Sequence, residues 1–566
     1  MNKFISKFEL FIQTRWRALV LIFALTLVAY IQLYNKPFLL DDHDYVESWQ
    51  LIKDWHNIPK FFFGYTTPNG QEGVFAPLKT LIHAINYHLF GLTPWKHYVF
   101  SMGGYLLIIF SVYNISIFIL KDRLQSFLCT LFFALHPIHI EYLTITGGVD
   151  AIGVLFLFIA FFYYISSLMT SGGEKKKYII VAMIFSCMAI FLNELCLVLP
   201  ILFLWYDFCY SHDIRNNNSL SIWKRYRKIV GRNIPFFSVA LFYALCKYLT
   251  FGSVTRGEYL YGSFYLTMLV TIKAWAKYIF IMFFPITLTH DHVISKGIYS
   301  FGFDDFDQFA VLSQSLFEPQ VLFSLLVLGY IVYLAYKYYN IDRLITFCIG
   351  WFFLSLLVSS NIIPCGVLFA ERYIFIGSLG FCLLFGYLIG KLLKSKSNFF
   401  SILGTMIVLI VVLFFMIRIF LRVEDMRSDV TVYESAIRAN PHSALMRKEL
   451  GIVATEAGDY DKAIKSFKKA IALRPNYPLA YFAMAEAYLQ KGDIEHSKHA
   501  LEEAIRLDPE YAEAYYNLAG LYAYEGNRLK AERLLNKAIY YYRKQGKEKE
   551  AAIYGLAFRE YFKLPD

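Results

Sequence analysis

The chain has 566 residues, of which 57% are hydrophobic and 19% are aromatic. That composition excludes a soluble globular protein and favours a polytopic membrane protein. The formal net charge of +11 does not indicate nucleic-acid binding, because much of it lies in short loops between apolar segments, where basic residues set membrane topology.

Apolar segments follow one another up to residue 421, where a polar sequence rich in Ala, Glu and Lys begins. The basic loops fit one topology when each lies on the cytoplasmic side together with the N-terminus, which predicts a membrane domain over 1–421 with about eleven spans. The C-terminal tail then lies on the opposite side. The apolar segment 264–285 does not fit as a crossing, so we predict that it lies along the outer surface or re-enters it. The predicted spans are 17–36, 97–120, 124–138, 151–170, 178–192, 195–209, 233–250, 318–338, 343–360, 371–391 and 400–420.

Three residue types recur in the tail with a period of 34 residues, which is the signature of tetratricopeptide repeats. We predict a connecting helix or half-repeat over 422–443, three repeats over 444–545 and a capping helix over 546–566. The fold class is thus all-α, a membrane domain followed by an α-solenoid. Such repeats most often bind a protein or peptide, and a rigid spacer or an oligomerisation module is the alternative. The recurring residues are Pro441, Pro475, Pro509, Gly458, Gly492, Gly526, Ala436, Ala470, Ala504 and Ala538.

An acidic pair, Asp41 and Asp42, follows directly on the first predicted span. At the outer surface of the bilayer, a carboxylate can accept the proton of an acceptor hydroxyl that lies within hydrogen-bond reach. The alternative is that either aspartate caps the helix that follows it. Both are candidate catalytic residues, and the sequence does not distinguish between them.

Further ionisable residues near the ends of the spans fall on the same outer side, where such residues are costly and tend to be functional. Arg372 and Lys247 could bind a phosphate, the arginine as a fork and the lysine as a point charge. Lys273 and Lys277 share one helical face and are further candidates for the donor phosphate. Each residue could instead be structural, for example as a satisfied core histidine. The candidate substrate-binding residues are Glu371, Asp150, His136, Glu141, Glu194, His290 and Asp291.

Histidine pairs offer nitrogen ligands for a metal ion. The candidates are His290, His292 and His139. Their spacing does not compel metal binding, so a divalent cation such as Mg²⁺ or Mn²⁺ is left open as a cofactor.

Several motifs occur together and in a fixed order: DDH after the first span, HPIHIE before Gly148 and Asp150, NEL, FPITLTHD, and AERYIF before the repeats. In this order they resemble the transmembrane-and-TPR O-mannosyltransferases of the GT-C superfamily. The resemblance implies a GT-C fold, a dolichyl- or undecaprenyl-phosphate sugar as donor, a hydroxyl acceptor and catalysis on the non-cytoplasmic face. It places the catalytic acid at Asp41 or Asp42, and Glu371-Arg372 near the lipid phosphate.

The chain departs from the family pattern at three positions. Ala76 stands in the segment where related sequences often read Arg-Pro-Leu, and Val149 and Asn193 stand where an arginine and a lysine are expected. Three cations near the donor are therefore missing, which leaves the identity of the sugar open.

Together these features predict a membrane hexosyltransferase that transfers mannose or another hexose to Ser or Thr of a protein delivered by the repeats. A cell-envelope glycan or lipid is the alternative acceptor, and a non-catalytic scaffold built on the repeats is the alternative from another class. The expected partners are the bilayer, the polyprenyl-linked sugar and a protein or peptide, with no nucleic acid. We expect a bacterial inner membrane with the site and tail in the periplasm, or the lumenal side of the endoplasmic reticulum if the chain is eukaryotic.

Overall fold

The computed structural model describes residues 9–63, 74–144, 148–210, 222–295, 298–303 and 314–562. It divides into two compact units, Met1–Gly302 with Val311–Ser428, and Phe303–Ala310 with Asp429–Asp566. We call them the membrane unit and the repeat unit. The last apolar helix of the membrane unit continues to Asp425.

Helices build the membrane unit, with three short strands between its eleventh and twelfth helices. The strands are β1 (Val293–Ser295), β2 (Ile298–Tyr299) and β3 (Gly302–Phe303), of which β1 and β2 pair antiparallel. The first seven helices are α1 (Arg15–Tyr30), α2 (Ile58–Phe61), α3 (Pro77–Phe90), α4 (Pro94–Leu120), α5 (Arg123–Ala134), α6 (Ile140–Thr144) and α7 (Val149–Met169). The others are α8 (Gly172–Leu192), α9 (Leu199–Tyr210), α10 (Ile222–Phe251), α11 (Phe264–Phe283), α12 (Pro319–Tyr338), α13 (Arg343–Ser355), α14 (Phe375–Leu393) and α15 (Asn398–Asp425).

Within the described ranges, eight helices are long and apolar enough to cross a membrane. A ninth is obtained if α5 and the bent segment Pro137–Thr144 form one span. The sequence predicted about eleven, because hydropathy alone does not show where helices break; α9 and α13 have 12 and 13 residues, whereas a span needs about 20. Conversely α11, expected at the membrane surface, meets the same condition as the other spans. The eight are Arg15–Asn35, Pro94–Leu120, Val149–Met169, Arg227–Phe251, Phe264–Phe283, Pro319–Tyr338, Glu371–Leu393 and Asn398–Asp425.

Two breaks between helices expose polar residues inside the membrane unit. After α5 the chain bends by 48° at a 3₁₀ turn, Pro137–His139, and continues into α6. After α8 the side chain of Asn193 accepts the backbone N–H of Leu195 and starts a second 3₁₀ turn, Glu194–Val198. Backbone polar groups at such breaks lack helical partners and need others. Helix breaks are therefore the places where an apolar helical unit can hold charged side chains.

Small residues allow the helices around these breaks to approach closely. A Cβ atom on Gly386 of α14 would lie 2.6 Å from the backbone nitrogen of Cys129 on α5. A Cβ atom on Gly153 of α7 would lie 2.8 Å from the Cβ of Asn193. Close backbone contact at glycine is a common way to pack membrane helices, and here it fixes the breaks relative to α7 and α14.

The repeat unit consists of helical hairpins, as the 34-residue period predicted. The first helix of each hairpin ends at a glycine with positive φ, at Gly458 (77°), Gly492 (88°) and Gly526 (83°). Phe467 packs directly on Gly451, where a Cβ atom would lie 2.5 Å from its ring. The helices are α16 (Asp429–Ala439), α17 (Ala444–Glu456), α18 (Tyr460–Leu473), α19 (Pro478–Gln490), α20 (Ile494–Leu507), α21 (Ala512–Tyr524), α22 (Arg528–Lys544) and α23 (Glu548–Phe562).

Candidate active site

A cavity of about 920 Å³ lies within the membrane unit and combines charged and apolar walls. Its charged residues come from the first loop, the first turns of α3 and α7, the two helix breaks, the end of α10 with the loop after it, and the Glu371–Ile374 turn. Four carboxylates and four cations line it, so the cavity as a whole is close to neutral. They are Asp41, Glu141, Asp150, Glu194, Lys79, Lys247, Arg256 and Arg372.

Arg372 is held on one side of the cavity by Glu141. Its Nη1 donates to Glu141 Oε1 at 2.7 Å, and its backbone N–H donates to Oε2 at 3.0 Å. Glu141 is almost fully buried, whereas the side chain of Arg372 keeps 28% of its surface exposed. The guanidinium therefore presents N–H groups to the cavity while its orientation is fixed from behind.

Glu194 organises two further cations at the second helix break. Its carboxylate lies 3.0 Å from Lys247 Nζ and 2.8 Å from Arg256 Nε, and it accepts the hydroxyl of Tyr243 at 2.6 Å. Burial alone would raise the pKa of Glu194, but the charges of Arg256 and Lys247 outweigh it and hold the pKa below its usual value. Three positive or hydrogen-donating groups thus converge on one carboxylate.

Lys79 forms the third charged group of the cavity with Asp150. The two lie 2.9 Å apart, and Lys79 Nζ lies 4.8 Å from the centre of the Tyr45 ring. Burial lowers the pKa of Lys79, but Asp150 and the other anionic groups around it raise that pKa above its usual value. Lys79 follows Ala76 by about one helical turn at the start of α3 and brings a positive charge into the cavity.

The structure separates the two candidate catalytic aspartates. Asp41 is exposed and lines the cavity. Asp42 is fully buried, does not line it, and accepts the backbone N–H of Leu39 at 3.2 Å. Asp41 therefore faces the cavity, whereas Asp42 is bonded to the backbone of the first loop.

The histidine candidates lie outside this cavity. His136 is buried and donates through Nε2 to the carbonyl of Met282 at 3.1 Å. His139 is hydrogen-bonded by Tyr105 and Ser378 at 2.8 and 2.9 Å. Among the residues that the structure describes, no group of three or more His, Cys, Asp or Glu side chains is arranged to hold a metal ion.

The remaining candidates surround the β-hairpin that follows α11. Glu371 pairs with His292 at 2.9 Å, and Asp291 accepts the backbone N–H of Ser300 at 3.1 Å. The ring of His290 packs on Phe301, with 5.0 Å between ring centres. None of these side chains is part of the cavity lining.

The two lysines of α11 face the same hairpin. Lys273 is almost fully buried and lies 3.1 Å from Glu318, and Lys277 donates to the carbonyl of Val293 at 2.5 Å. Neither is part of the cavity lining. Of the cations that line it, Arg372 and Lys247 are among the predicted phosphate-binding residues, and Lys79 and Arg256 were not singled out from the sequence. Lys79 could have been found from its place directly after Ala76-Pro77-Leu78, at the start of a helix. Arg256 follows α10 in a loop for which the sequence analysis names no motif.

The ion pairs of Glu194 predict a dependence of stability on pH. Because the pKa of Glu194 is lowered in the folded state, its stabilising effect is complete above the ordinary glutamate pKa and is lost as the pH falls through the lowered value. Glu194→Gln should lower Tm at pH 7, since breaking a buried ion pair costs about 3 kcal/mol, and should weaken the fall of Tm in acid. Thermal unfolding in detergent between about pH 7 and pH 3 measures both effects.

The matched control for this prediction is Glu174→Gln, which changes an exposed carboxylate at the start of α8. Its Tm should follow the wild-type curve at every pH. A Glu194→Gln protein with the wild-type Tm and pH profile would show that the ion pairs do not stabilise the fold.

The chain is similar to known proteins in its repeats and over most of its length. A family model described as TPR repeat matches residues 451–492 and 486–526. The protein O-mannosyl-transferase Tmtc2 of Drosophila melanogaster is 35% identical over 130 residues, which are 23% of this chain and 14% of that protein. The protein O-mannosyl-transferase F38B6.6 of Caenorhabditis elegans is 23% identical over 486 residues, 81% of this chain and 63% of that protein. The chain thus spans 14% and 63% of the length of these two curated relatives.

Among solved structures, ArnT from Cupriavidus metallidurans, crystallised with undecaprenyl phosphate, aligns with 88% of this chain and 80% of its own. The identity is 13% and the TM-score 0.36. The relatives named above confirm the resemblance to the transmembrane-and-TPR O-mannosyltransferases that the motifs indicated.

Proposed function

We propose that this chain, a multi-pass membrane protein similar to the transmembrane-and-TPR O-mannosyltransferases, is a glycosyltransferase. It moves mannose or another hexose from a polyprenyl-phosphate donor to a hydroxyl, most simply that of a Ser or Thr side chain. The observation that carries the proposal is the cavity, which combines cations, an exposed carboxylate and an apolar wall. A lipid-linked phosphosugar has the matching chemistry in one molecule.

The apolar wall suits the prenyl chain of such a donor. Its members include Val254, Ile362 and Ile363, whose side chains are 42%, 47% and 59% exposed. Exposed aliphatic side chains in a membrane unit face lipid at little cost, because lipid tails are as apolar as they are. A prenyl chain could therefore lie against this wall and leave the phosphate at the charged end.

The cations suit the phosphate. Arg372 and Arg256 offer planar guanidinium groups and Lys247 a point charge. In the absence of donor, Glu141 and Glu194 neutralise them, so a phosphate has to compete with, or add to, these carboxylates. Cations that are already oriented by their partners stabilise the leaving phosphate without reorganisation during the reaction.

Asp41 suits the role of general base. In the proposed step the acceptor oxygen bonds to the anomeric carbon as its proton passes to Asp41, and the bond between the anomeric carbon and the phosphate oxygen breaks. The polyprenyl phosphate leaves with the electron pair, and its added charge falls on Arg372, Arg256 and Lys247. Asp150, Lys79 and Tyr45 remain as polar groups for the sugar hydroxyls.

The repeats and the topology complete the proposal. Tetratricopeptide hairpins commonly bind proteins or peptides, so the repeat unit would present a polypeptide acceptor. With the bent segment of α5 counted as a ninth span and the N-terminus on the cytoplasmic side, the cavity and the repeats would lie on the non-cytoplasmic side, in a bacterial periplasm or in the lumen of the endoplasmic reticulum.

The test is a transfer assay with purified protein in lipid nanodiscs. Polyprenyl-phosphate-mannose and polyprenyl-phosphate-glucose are supplied separately, with a pool of Ser- and Thr-containing peptides, and mass spectrometry measures released polyprenyl phosphate and glycosylated peptide. Parallel samples with Mg²⁺, Mn²⁺ or EDTA measure any dependence on a divalent cation.

The proposal expects release of polyprenyl phosphate from at least one donor, together with sugar on a peptide. Release that requires an added glycan or lipid acceptor would support the glycosyltransferase activity but contradict a polypeptide as the acceptor. No release from a wide panel of donors with any acceptor would contradict the proposal and favour the scaffold.

A further inference from the structure

A second charged pair lies behind the cavity and outside its lining. Arg422, near the end of α15, has a side chain with 1% of its surface exposed. Its Nη2 lies 3.7 Å from Glu371 Oε2, and its Nε and Nη1 have no hydrogen-bond partner among the residues that the structure describes. Since buried cations require an anion nearby, Glu371 is the residue that makes the burial of Arg422 tolerable.

Glu371 is fixed at its other oxygen from a different direction. Oε1 accepts the backbone N–H of Thr289 at 2.6 Å and the Nε2–H of His292 at 2.9 Å. The carboxylate thus joins the loop before β1 to the end of α15. It also begins the 3₁₀ turn Glu371–Ile374, so its position sets that of the next residue, Arg372.

Arg372 points the opposite way, towards the cavity and Glu141. Two neighbouring residues of one turn therefore have separate charged partners: Glu371 Oε2 lies 3.7 Å from Arg422 without a hydrogen bond, and Arg372 is hydrogen-bonded to Glu141. Without Arg422, the buried carboxylate of Glu371 would lack its closest arginine. Arg372 belongs to the same turn as Glu371. A shift of Glu371 towards another cation would therefore also move the guanidinium of Arg372.

The same end of α15 is tied to two other cavity segments. Lys36, which precedes the first-loop aspartates, donates to the carbonyl of Val423. Thr144, on the helix that carries Glu141, donates to the sulfur of Met426 at 3.2 Å. The last turns of α15 thus contact the chain on both sides of the Arg372–Glu141 pair.

We propose that Arg422 is a positioning residue that, through Glu371, holds Arg372 in the orientation that binds the donor phosphate. This inference rests on the proposed function, because it assigns a phosphate to Arg372. Arg422 itself lies outside the cavity and does not touch the donor.

The test compares the affinity for a polyprenyl phosphate in three variants of the full-length protein. Undecaprenyl phosphate is the probe, and native mass spectrometry from detergent gives both its Kd and the fraction of protein that is competent to bind. Arg422→Met should raise Kd about tenfold or more, since the guanidinium of Arg372 would no longer be held where it donates to the phosphate. Arg422→Lys, which keeps the charge, should stay closer to wild type.

The double variant Glu371→Gln/Arg422→Met removes both charges and should recover most of the lost affinity, because no unpaired carboxylate remains to displace Arg372. Arg418→Met is the matched control. Arg418 lies one turn earlier on α15 and donates to the carbonyl of Pro285 at 2.9 Å, so its loss should leave Kd unchanged.

Each outcome decides a different question. If Arg422→Met lowers only the competent fraction and leaves Kd at the wild-type value, Arg422 is purely structural and the inference is overturned. If the wild-type protein itself fails to bind undecaprenyl phosphate, the proposed donor is wrong and the inference falls with it. A raised Kd in Arg422→Met that the double variant restores supports the positioning role.

Discussion

Asp41→Asn is expected to lower the rate of sugar transfer by about 10²- to 10⁴-fold, the usual contribution of a general base. The substitution keeps the size of the side chain, replaces one acceptor oxygen by an N–H donor, and removes the negative charge and the ability to accept a proton at neutral pH. Because Asp41 is exposed at the cavity and its side chain forms no hydrogen bond or ion pair among the residues that the structure describes, donor binding and Tm should change little. Single-turnover transfer at saturating donor measures the effect on chemistry alone.

Two neighbouring aspartates serve as comparisons. Asp42→Asn should mainly lower Tm, since Asp42 is fully buried and accepts a backbone N–H. Asp44→Asn changes a carboxylate of the same loop that is not part of the cavity lining, and its transfer rate should equal that of wild type. Wild-type transfer in Asp41→Asn, or a loss confined to Asp42→Asn with normal Tm, would contradict the assignment of the base.

Arg256→Met is expected to weaken transfer efficiency with the donor by about 10²- to 10³-fold, the usual effect of removing one preorganised group from a developing charge. The guanidinium is lost, while the methionine keeps much of its length. Lys247 and Glu194 would then pair alone, which leaves Lys247 more fully neutralised and less available to a phosphate. We expect the loss in kcat/KM for the donor, with the KM for the acceptor unchanged.

The measurement for Arg256 is steady-state kinetics with each substrate varied in turn. Arg427→Met is the control, because this arginine is 73% exposed and pairs only weakly with Glu424 at 3.1 Å. Its kinetics should match wild type. An unchanged kcat/KM for the donor in Arg256→Met would remove Arg256 from the phosphate site.

The repeat unit could be predicted almost completely from the sequence. A 34-residue period specifies both the length of each hairpin and the small residues at its crossing points, so local patterns carry the fold. Gly458 illustrates this, since its place in the period required a left-handed turn and the structure has φ of 77° there. Contacts in such arrays are mostly between neighbouring repeats, which is why a one-dimensional pattern is sufficient.

The membrane unit could be predicted less well, because hydropathy measures apolar length and not continuity. Asn193 interrupts the apolar segment between α8 and α9 by capping a 3₁₀ turn, whereas hydropathy shows this break only as the border between two spans. The same break carries Glu194 into the cavity. The helix break that shortens the spans thus also places a charged residue of the candidate site.

The composition of the cavity was predicted in part. Asp41, Glu141 and Asp150 line it together with Glu194, Lys247 and Arg372, which the sequence had grouped by their common side of the membrane. Which of two adjacent residues faces a cavity depends on the local turn. A single 3₁₀ turn directs Arg372 inward and Glu371 away, and sequence position alone could not separate them.

The place of Arg256 in the cavity lining could not be predicted from the sequence. It follows α10 in an irregular loop, and its position depends on a contact with a distant part of the chain: its backbone N–H donates to the carbonyl of Pro364 at 3.1 Å. The Cα of Gly366 would lie 2.9 Å from a Cβ atom on Gly257, so the two loops touch through glycine. Only the folded chain brings this cation to Glu194.

The most direct test of the account is an electron cryo-microscopy structure of the protein with an undecaprenyl-phosphate hexose in nanodiscs, using Asp41→Asn to prevent turnover. We expect phosphate density with its oxygens about 3 Å from the guanidinium nitrogens of Arg372 and Arg256, the usual range for charge-assisted hydrogen bonds, the prenyl chain along Ile362 and Ile363, and the anomeric carbon facing residue 41. Donor density elsewhere in the membrane unit, with no donor in the cavity, would contradict the proposed function.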